Sequence, residues 1–353
     1  MKKVLAGMTI VTVVVAAGCG YGGDTEEMEP MVDEATQAAE TDGTVLRNDA
    51  AMDDLVPLDA VVEKVADGFT FTEGPVWVPG DTDRLYFSDI PENKVYRWSE
   101  GEGAVVFLEP VLAEDADTGG TGGSNGLALH PDGRLVLCEH GNRVVSAMAL
   151  EGERVNLADR YDGKRLNSPN DIVFHSSGAA FFTDPPYGLD GHDASENKEQ
   201  EHNGIYRLDP DGTVTLLETG QTRPNGLGLS PDETVLYVAN SDAAPNRYWK
   251  KYAVNDDLTL GEGEMFFDAS DMVDLQGAPD GLAVDVDGNV FATGPGGVMV
   301  FAPDGRHLGT IAPAELPANT AFGGDGSTLY MTARSGLYRI ATNTRGDVYA
   351  GGE

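Results

Sequence analysis

Basic residues are scarce in this 353-residue chain: 23 Lys and Arg stand against 59 Asp and Glu, for a formal charge of -36 and an isoelectric point near 4.2. Such a surface repels phosphate backbones and anionic headgroups, which argues against nucleic acid as a partner, and it attracts divalent cations. Cysteine is scarcer still, with only Cys19 and Cys138. No CxxC pair exists to build a thiolate zinc site, and if Cys19 is modified no intrachain disulfide can form. Cys138, inside Leu135-Val136-Leu137-Cys138, reads as a small buried hydrophobe. A P-loop is missing. The run Gly119-Gly120-Thr121-Gly122-Gly123 lacks the Lys and the helix that a phosphate loop needs, so it reads as a flexible connection. No long stretch repeats apolar residues at helical spacing, which makes the core mainly β.

The N-terminus carries Lys2 and Lys3, then an apolar run from Val4 to Ala17 that is too short for a usual membrane span. Residues 1–18 therefore read as an export signal. Val15-Ala16-Ala17-Gly18-Cys19 resembles a bacterial lipobox, which implies lipidation of Cys19 and an exported lipoprotein at the periplasmic side of a membrane or on the cell surface. About a dozen acidic residues and one basic residue, Arg47, lie between Asp24 and Asp59. That composition predicts an acidic, disordered tether over residues 19–59.

What is abundant is glycine, 45 residues, clustered with Pro and Asp at regular turns. A phrase recurs at intervals of roughly 40 to 55 residues, the period of propeller blades. It begins on Asn or Asp, continues with Gly in most copies, and is followed by alternating apolar residues, a turn and a second apolar run. The copies start at Asn125, Asn170, Asn225 and Asp280, with a degenerate first copy at Glu73 and a last one at Asn319. Six markers predict an all-β, six-bladed β-propeller over residues 60–345, followed by a tail at 346–353. Asp132-Gly133, Asp287-Gly288 and Asp325-Gly326 are turn residues within the repeats. The earlier Asn or Asp of each copy precedes the strand that would line the channel. Two long segments, 113–124 and 185–203, interrupt the rhythm at blade connections, and the second is a candidate lid.

Glu73, Asn170, Asn225 and Asp280 together offer two carboxylates and two amide carbonyls. Such hard oxygens suit Ca2+, which takes six to eight oxygen ligands at flexible geometry. Other divalent ions such as Mg2+, Mn2+ or Zn2+ remain open, although zinc favours imidazole and thiolate. An open cation site at a channel mouth can polarise an ester carbonyl, and the partner it needs is a base. Asp280 is the candidate, with Asp171 a weaker one. His140, at the end of an inner strand, offers either acid–base chemistry or a structural bond to a backbone carbonyl.

Glu73-Gly74-Pro75-Val76-Trp77, Ser168-Pro169-Asn170-Asp171-Ile172, Phe182-Thr183-Asp184-Pro185-Pro186-Tyr187-Gly188-Leu189, Pro224-Asn225-Gly226 and Pro279-Asp280-Gly281 resemble the signature of the gluconolactonase and regucalcin family. The resemblance spans residues 60 to 341 and leans toward the bacterial gluconolactonases. It implies calcium-dependent opening of a sugar lactone or related cyclic ester. By motif, Glu73, Asn225 and Asp280 match metal ligands, Asn170 matches a position that binds metal or substrate, and Asp280 matches the base. Ser168 stands where regucalcin has a substrate-contacting Arg. Asn125 is expected to contact substrate, with His140 and Tyr187 shaping the pocket, while Asn319 is expected only to mark the closing blade. A phosphotriesterase-like hydrolase and a non-enzymatic, lipid-tethered binding propeller are the alternatives. In every case lipid on Cys19 is the only expected membrane contact, and the oligomeric state stays open.

Overall fold

The structure, a computed structural model, describes residues 41–346 apart from 81 and 82. The export segment, Cys19, the start of the expected tether and residues 347–353 of the tail lie outside the described residues.

Six antiparallel blade sheets follow one another along the chain, with a two-stranded ribbon, Arg160–Tyr161 paired with Lys164–Arg165, between the second and third. The first blade runs through Thr72–Val78, Arg84–Asp89, Lys94–Ser99 and Gly103–Leu108. The second has Ser124–Leu129, Leu135–Glu139, Val144–Met148 and Arg154–Ala158. Ile172–Phe174, Ala180–Asp184, Gly204–Leu208 and Val214–Glu218 make the third. The fourth comprises Pro224–Leu229, Val235–Ser241, Arg247–Ala253 and Glu264–Asp268. Leu282–Val284, Val290–Gly294, Gly297–Phe301 and His307–Pro313 form the fifth. The sixth joins Asn319–Gly323, Thr328–Ala333 and Gly336–Ala341 to a strand from the other end of the propeller, Glu63–Asp67. Each innermost strand neighbours that of the next blade, and the sixth neighbours the first, so the ring closes. The phrase read from the sequence lies where each innermost strand begins.

Apolar side chains on the two faces of each sheet fill the gaps between blades, giving six clusters for six gaps. At the closing seam Trp77 stacks on Tyr330 with centroids 5.5 Å apart. Arg339 ties the shared sixth blade by bonding Glu63 at 2.8 Å.

The expected disordered tether over 19–59 needs correction at its end. Gly43–Arg47 adds a fifth strand to the outer edge of the fifth blade, pairing with His307–Pro313. A short helix, Met52–Leu55, then buries Met52, Leu55 and Val56 in the cluster between the fifth and sixth blades. The acidic composition hid these apolar residues. Arg47, the one basic residue of the stretch, donates to the Val56 and Pro57 carbonyls at 3.0 and 2.7 Å and so folds the strap back on itself.

Near the axis the blades approach so closely that no side chain fits at several positions. A Cβ on Gly226 would stand 2.3 Å from the Asp280 carbonyl oxygen, and one on Gly281 would stand 1.8 Å from Asn319 Cγ. Glycine follows the site residue in these copies because the next blade's site residue occupies the space.

Removing the Met52 side chain should show that the strap belongs to the folded body. Met52→Ala is expected to cost about 2–5 kcal/mol in equilibrium unfolding, as for other buried Met and Leu truncations. Leu58→Ala, at a position 77% exposed, should fall within about 0.5 kcal/mol of wild type.

Candidate active site

The loops that enter the innermost strands bring their first polar residues to one end of the channel. Glu73, Asn125, Asn170, Asn225 and Asn319 are buried, and Asp280 is half-buried. Backbone bonds between blades set their relative positions. Gly126 N–H donates to the Asn170 carbonyl at 2.7 Å, and Gly281 N–H to that of Ala318 at 2.8 Å. Hydroxyls near the ends of second strands add further pins: Ser88 donates to the Asn125 carbonyl at 2.7 Å and Thr183 to the Asn225 carbonyl at 2.8 Å.

Three carboxyl groups, Glu73, Asp171 and Asp280, lie near enough at this end of the channel to act on one another's charge. Burial pushes the Glu73 carboxyl up, Asp171 adds repulsion, and the Gly74 N–H (2.6 Å) and Asn319 amide (3.0 Å) oppose the rise. Asp280 is held well above the usual carboxylate range by lost hydration, then by Glu73 and Asp171, against an Asn225 side-chain bond. Asp171 is pushed up to about 7, chiefly by burial. Among the described residues, none of these carboxyls forms a salt bridge with Lys, Arg or His. Their repulsion is answered only by neutral donors.

The Asn225 side chain stands near enough to Asp280 to oppose the rise of its carboxyl. Among the described residues, no three His, Cys, Asp or Glu side chains form a metal-holding group by themselves.

Asn319 corrects an expectation. Its amide donates to Glu73 Oε2 while its Oδ1 accepts from the Thr320 N–H at 2.8 Å, so it fixes Glu73 as well as opening the last blade. Together with Asp171 it borders a cavity of about 620 Å3 that continues down the channel past Trp77, Leu129 and Phe174. Glu73, Asn170, Asn225 and Asp280 do not line that cavity.

His140 lies 3.3 Å from the Asn125 amide through Nε2 and is buried, which pushes its pKa down to about 4. It is neutral at physiological pH and orients Asn125. Tyr187 is half-buried; its hydroxyl donates to the Ser241 carbonyl at 2.6 Å, and Arg223 stands 5.4 Å over its ring. Burial raises Tyr187 to about 12, with Asp280 near enough to contribute. The candidate lid, 185–203, is tied down. Arg223 pairs with Asp193 at 2.7 Å, and Ser168 accepts from Gly188 N–H at 2.9 Å while donating to the Pro185 carbonyl at 2.6 Å. Ser168 thus anchors this segment. The glycine-rich run expected to be a flexible connection is packed as well, with Thr121 N–H on the Gly188 carbonyl at 2.7 Å. Arg223 and Asn319 were the site residues that sequence reasoning passed over. Arg223 directly precedes the Pro224-Asn225 motif, a placement that could have flagged it.

Residues 71–335 match the family model described as SMP-30/Gluconolactonase/LRE-like region. The chain belongs to this family. A gluconolactonase of Zymomonas mobilis is 39% identical over 319 residues, 87% of this chain and 88% of that one. A pentonolactonase of Haloferax volcanii is 30% identical over 274 residues, 75% of this chain and 81% of that one. The solved structure of a gluconolactonase from Xanthomonas campestris superposes with a TM-score of 0.73 at 31% identity, covering 84% of this chain and 94% of the other.

The raised carboxyls make pH dependence a test of the cluster. Folding raises the affinity of Asp171 for a proton, so with divalent ions chelated its contribution to stability is lost as pH rises from about 4 to about 7. Asp171→Asn should therefore gain in melting temperature relative to wild type across that window. A constant difference would show that Asp171 is not held protonated in the folded chain.

Proposed function

We propose that this protein is a hydrolase that opens a sugar lactone or related cyclic ester, using a divalent cation, calcium by the chemistry of the donors. The observation that carries the reading is the family site itself: acids and amides from separate blades at one channel end, their carboxyls crowded without a cationic partner. The kinship with a gluconolactonase and a pentonolactonase supports sugar lactones as the substrate class.

The residues fit a cation. Glu73 and Asp280 would supply two carboxylates and Asn170 and Asn225 two amide oxygens, a hard-oxygen set with room left for substrate or water. When bound, the ion supplies positive charge that favours ionised Glu73 and Asp280 and polarises the ester carbonyl. The remaining work falls to the chain. Asp280 accepts a proton from the attacking water; the water oxygen bonds the carbonyl carbon, the ring C–O bond breaks, and the proton passes to the leaving ring oxygen, giving a hydroxy acid. Asn125, oriented by His140, and Asn170 donate amide hydrogens to the lactone. Tyr187, pinned to Ser241, walls the mouth, and the tied 185–203 segment limits water around the reacting ester. Export through residues 1–18 and anchoring by lipid on Cys19 belong to the same reading, which places the enzyme outside the cytoplasm.

Turnover of glucono-1,5-lactone and of pentonolactones, corrected for spontaneous opening, tests this function. Wild type should be active with calcium and silent in excess chelator. Asp280→Asn should lose about 10²–10⁴-fold in kcat, the usual range for removing a general base, and Glu73→Gln should raise the calcium concentration required. Wild-type rates equal to the spontaneous rate on every lactone, with calcium present, would overturn the proposal.

A further inference from the structure

The loops that carry three of the four candidate cation ligands share a support that none of the other blades has. In the first blade Asp89, fully buried, accepts the Thr70 N–H at 2.9 Å on Oδ2 and the Phe71 N–H at 3.0 Å on Oδ1. Thr70 and Phe71 stand three and two residues before Glu73. In the third blade Asp184, also fully buried, accepts Asn167 N–H at 2.7 Å and Ser168 N–H at 2.8 Å, three and two residues before Asn170. The fourth blade uses an amide in the same way. Asn240 accepts the Arg223 N–H at 2.8 Å and donates to Thr222 Oγ1 at 3.0 Å, two and three residues before Asn225.

Each of these side chains sits at or beside the end of its blade's second strand. At that position the other blades differ. Glu139 of the second blade is equally buried but turns to Ser146, Asn142 and Arg154, with Arg154 at 3.2 Å. Gly294 and Ala333 end the second strands of the fifth and sixth blades and have no side chain that could reach a loop. The side-chain bracket therefore accompanies Glu73, Asn170 and Asn225 and does not accompany Asn125, Asn319 or the fourth candidate ligand, Asp280. Two bonds to consecutive residues, both peptide N–H groups for Asp89 and Asp184 and one peptide N–H with one hydroxyl for Asn240, fix both the position and the direction of the loop just before the ligand leaves it, whereas one bond would leave a rotation free.

We propose that Asp89, Asp184 and Asn240 are positioning residues that hold the Glu73, Asn170 and Asn225 loops in the geometry a divalent cation needs. The proposal rests on the cation reading given above. Groups outside the ligand sphere that orient it typically govern 10- to 100-fold of metal affinity. Asp184→Asn would set an NH2 against one of the two peptide N–H groups it now receives. Asn240→Leu removes the bracket of the fourth blade at similar volume, together with the bond the Asn240 amide donates to the Asn246 carbonyl at 2.8 Å; Asn240→Asp loses that same bond to Asn246 but keeps the acceptor for Arg223 and leaves Thr222 to act as donor, so it isolates the bracket.

Calorimetric titration of calcium into the chelator-stripped full chain, with thermal unfolding of each sample in chelator, separates positioning from general stability. Asp184→Asn and Asn240→Leu should weaken calcium binding by about 10- to 100-fold, and Asn240→Asp should restore it. Glu139→Gln, a change at an equally buried acid, should lower the melting temperature and leave calcium affinity at the wild-type value. Should Asp184→Asn fail to fold, the two Asn240 variants decide. Unchanged affinity in Asp184→Asn and Asn240→Leu, or an equal loss in Glu139→Gln, would overturn the positioning role. No calcium binding by wild type would instead overturn the cation reading and the positioning role with it.

Discussion

Three carboxyls, Glu73, Asp171 and Asp280, converge where six blades meet, and among the described residues no cationic side chain pairs with them. Buried acids in that state cost stability unless they are protonated, hydrogen-bonded or joined by an ion. The propeller answers with neutral donors: the Gly74 and Ile172 N–H groups and the amides of Asn319 and Asn225. Those donors lessen the repulsion without removing it, which leaves the site receptive to positive charge. An overall charge of -36 adds a long-range attraction for cations.

Such a cluster persists only because the surrounding backbone is over-determined. Neighbouring innermost strands stand close enough that Gly226 and Gly281 cannot bear a side chain. Hydroxyl pins from Ser88 and Thr183 and the brackets from Asp89, Asp184 and Asn240 then fix the loops from behind. Apolar clusters in the six gaps provide the driving force for closing the ring, and the shared sixth blade locks it. Rigidity of this kind suits a site that must hold ligand atoms in a fixed geometry before any substrate arrives.

Much of this was legible in the sequence because its signal is local. Asp132-Gly133 and Asp325-Gly326 make turns by their own chemistry, and period-two alternation marks the strands on either side, so blade number and the start of each innermost strand could be read directly. Glu73, Asn225 and Asp280 were visible for the same reason, since each opens a copy of the repeat. What escaped depends on contacts between distant segments. Met52 and Leu55 lie in an acidic stretch, and only the gap between the fifth and sixth blades explains their burial. Asn319 looks like another blade marker until its amide is seen on Glu73, 246 residues away in sequence. No local signal singles out Asp89, and Asp184 stands in the sequence only as part of a longer motif, because the peptide groups they accept belong to a loop that enters the blade before them.

A crystal structure determined with calcium present tests the central claim most directly. The account predicts a single ion bounded by oxygens of Glu73, Asn170, Asn225 and Asp280. An ion bound elsewhere, or Glu73 and Asp280 joined by a shared proton with no ion between them, would contradict it.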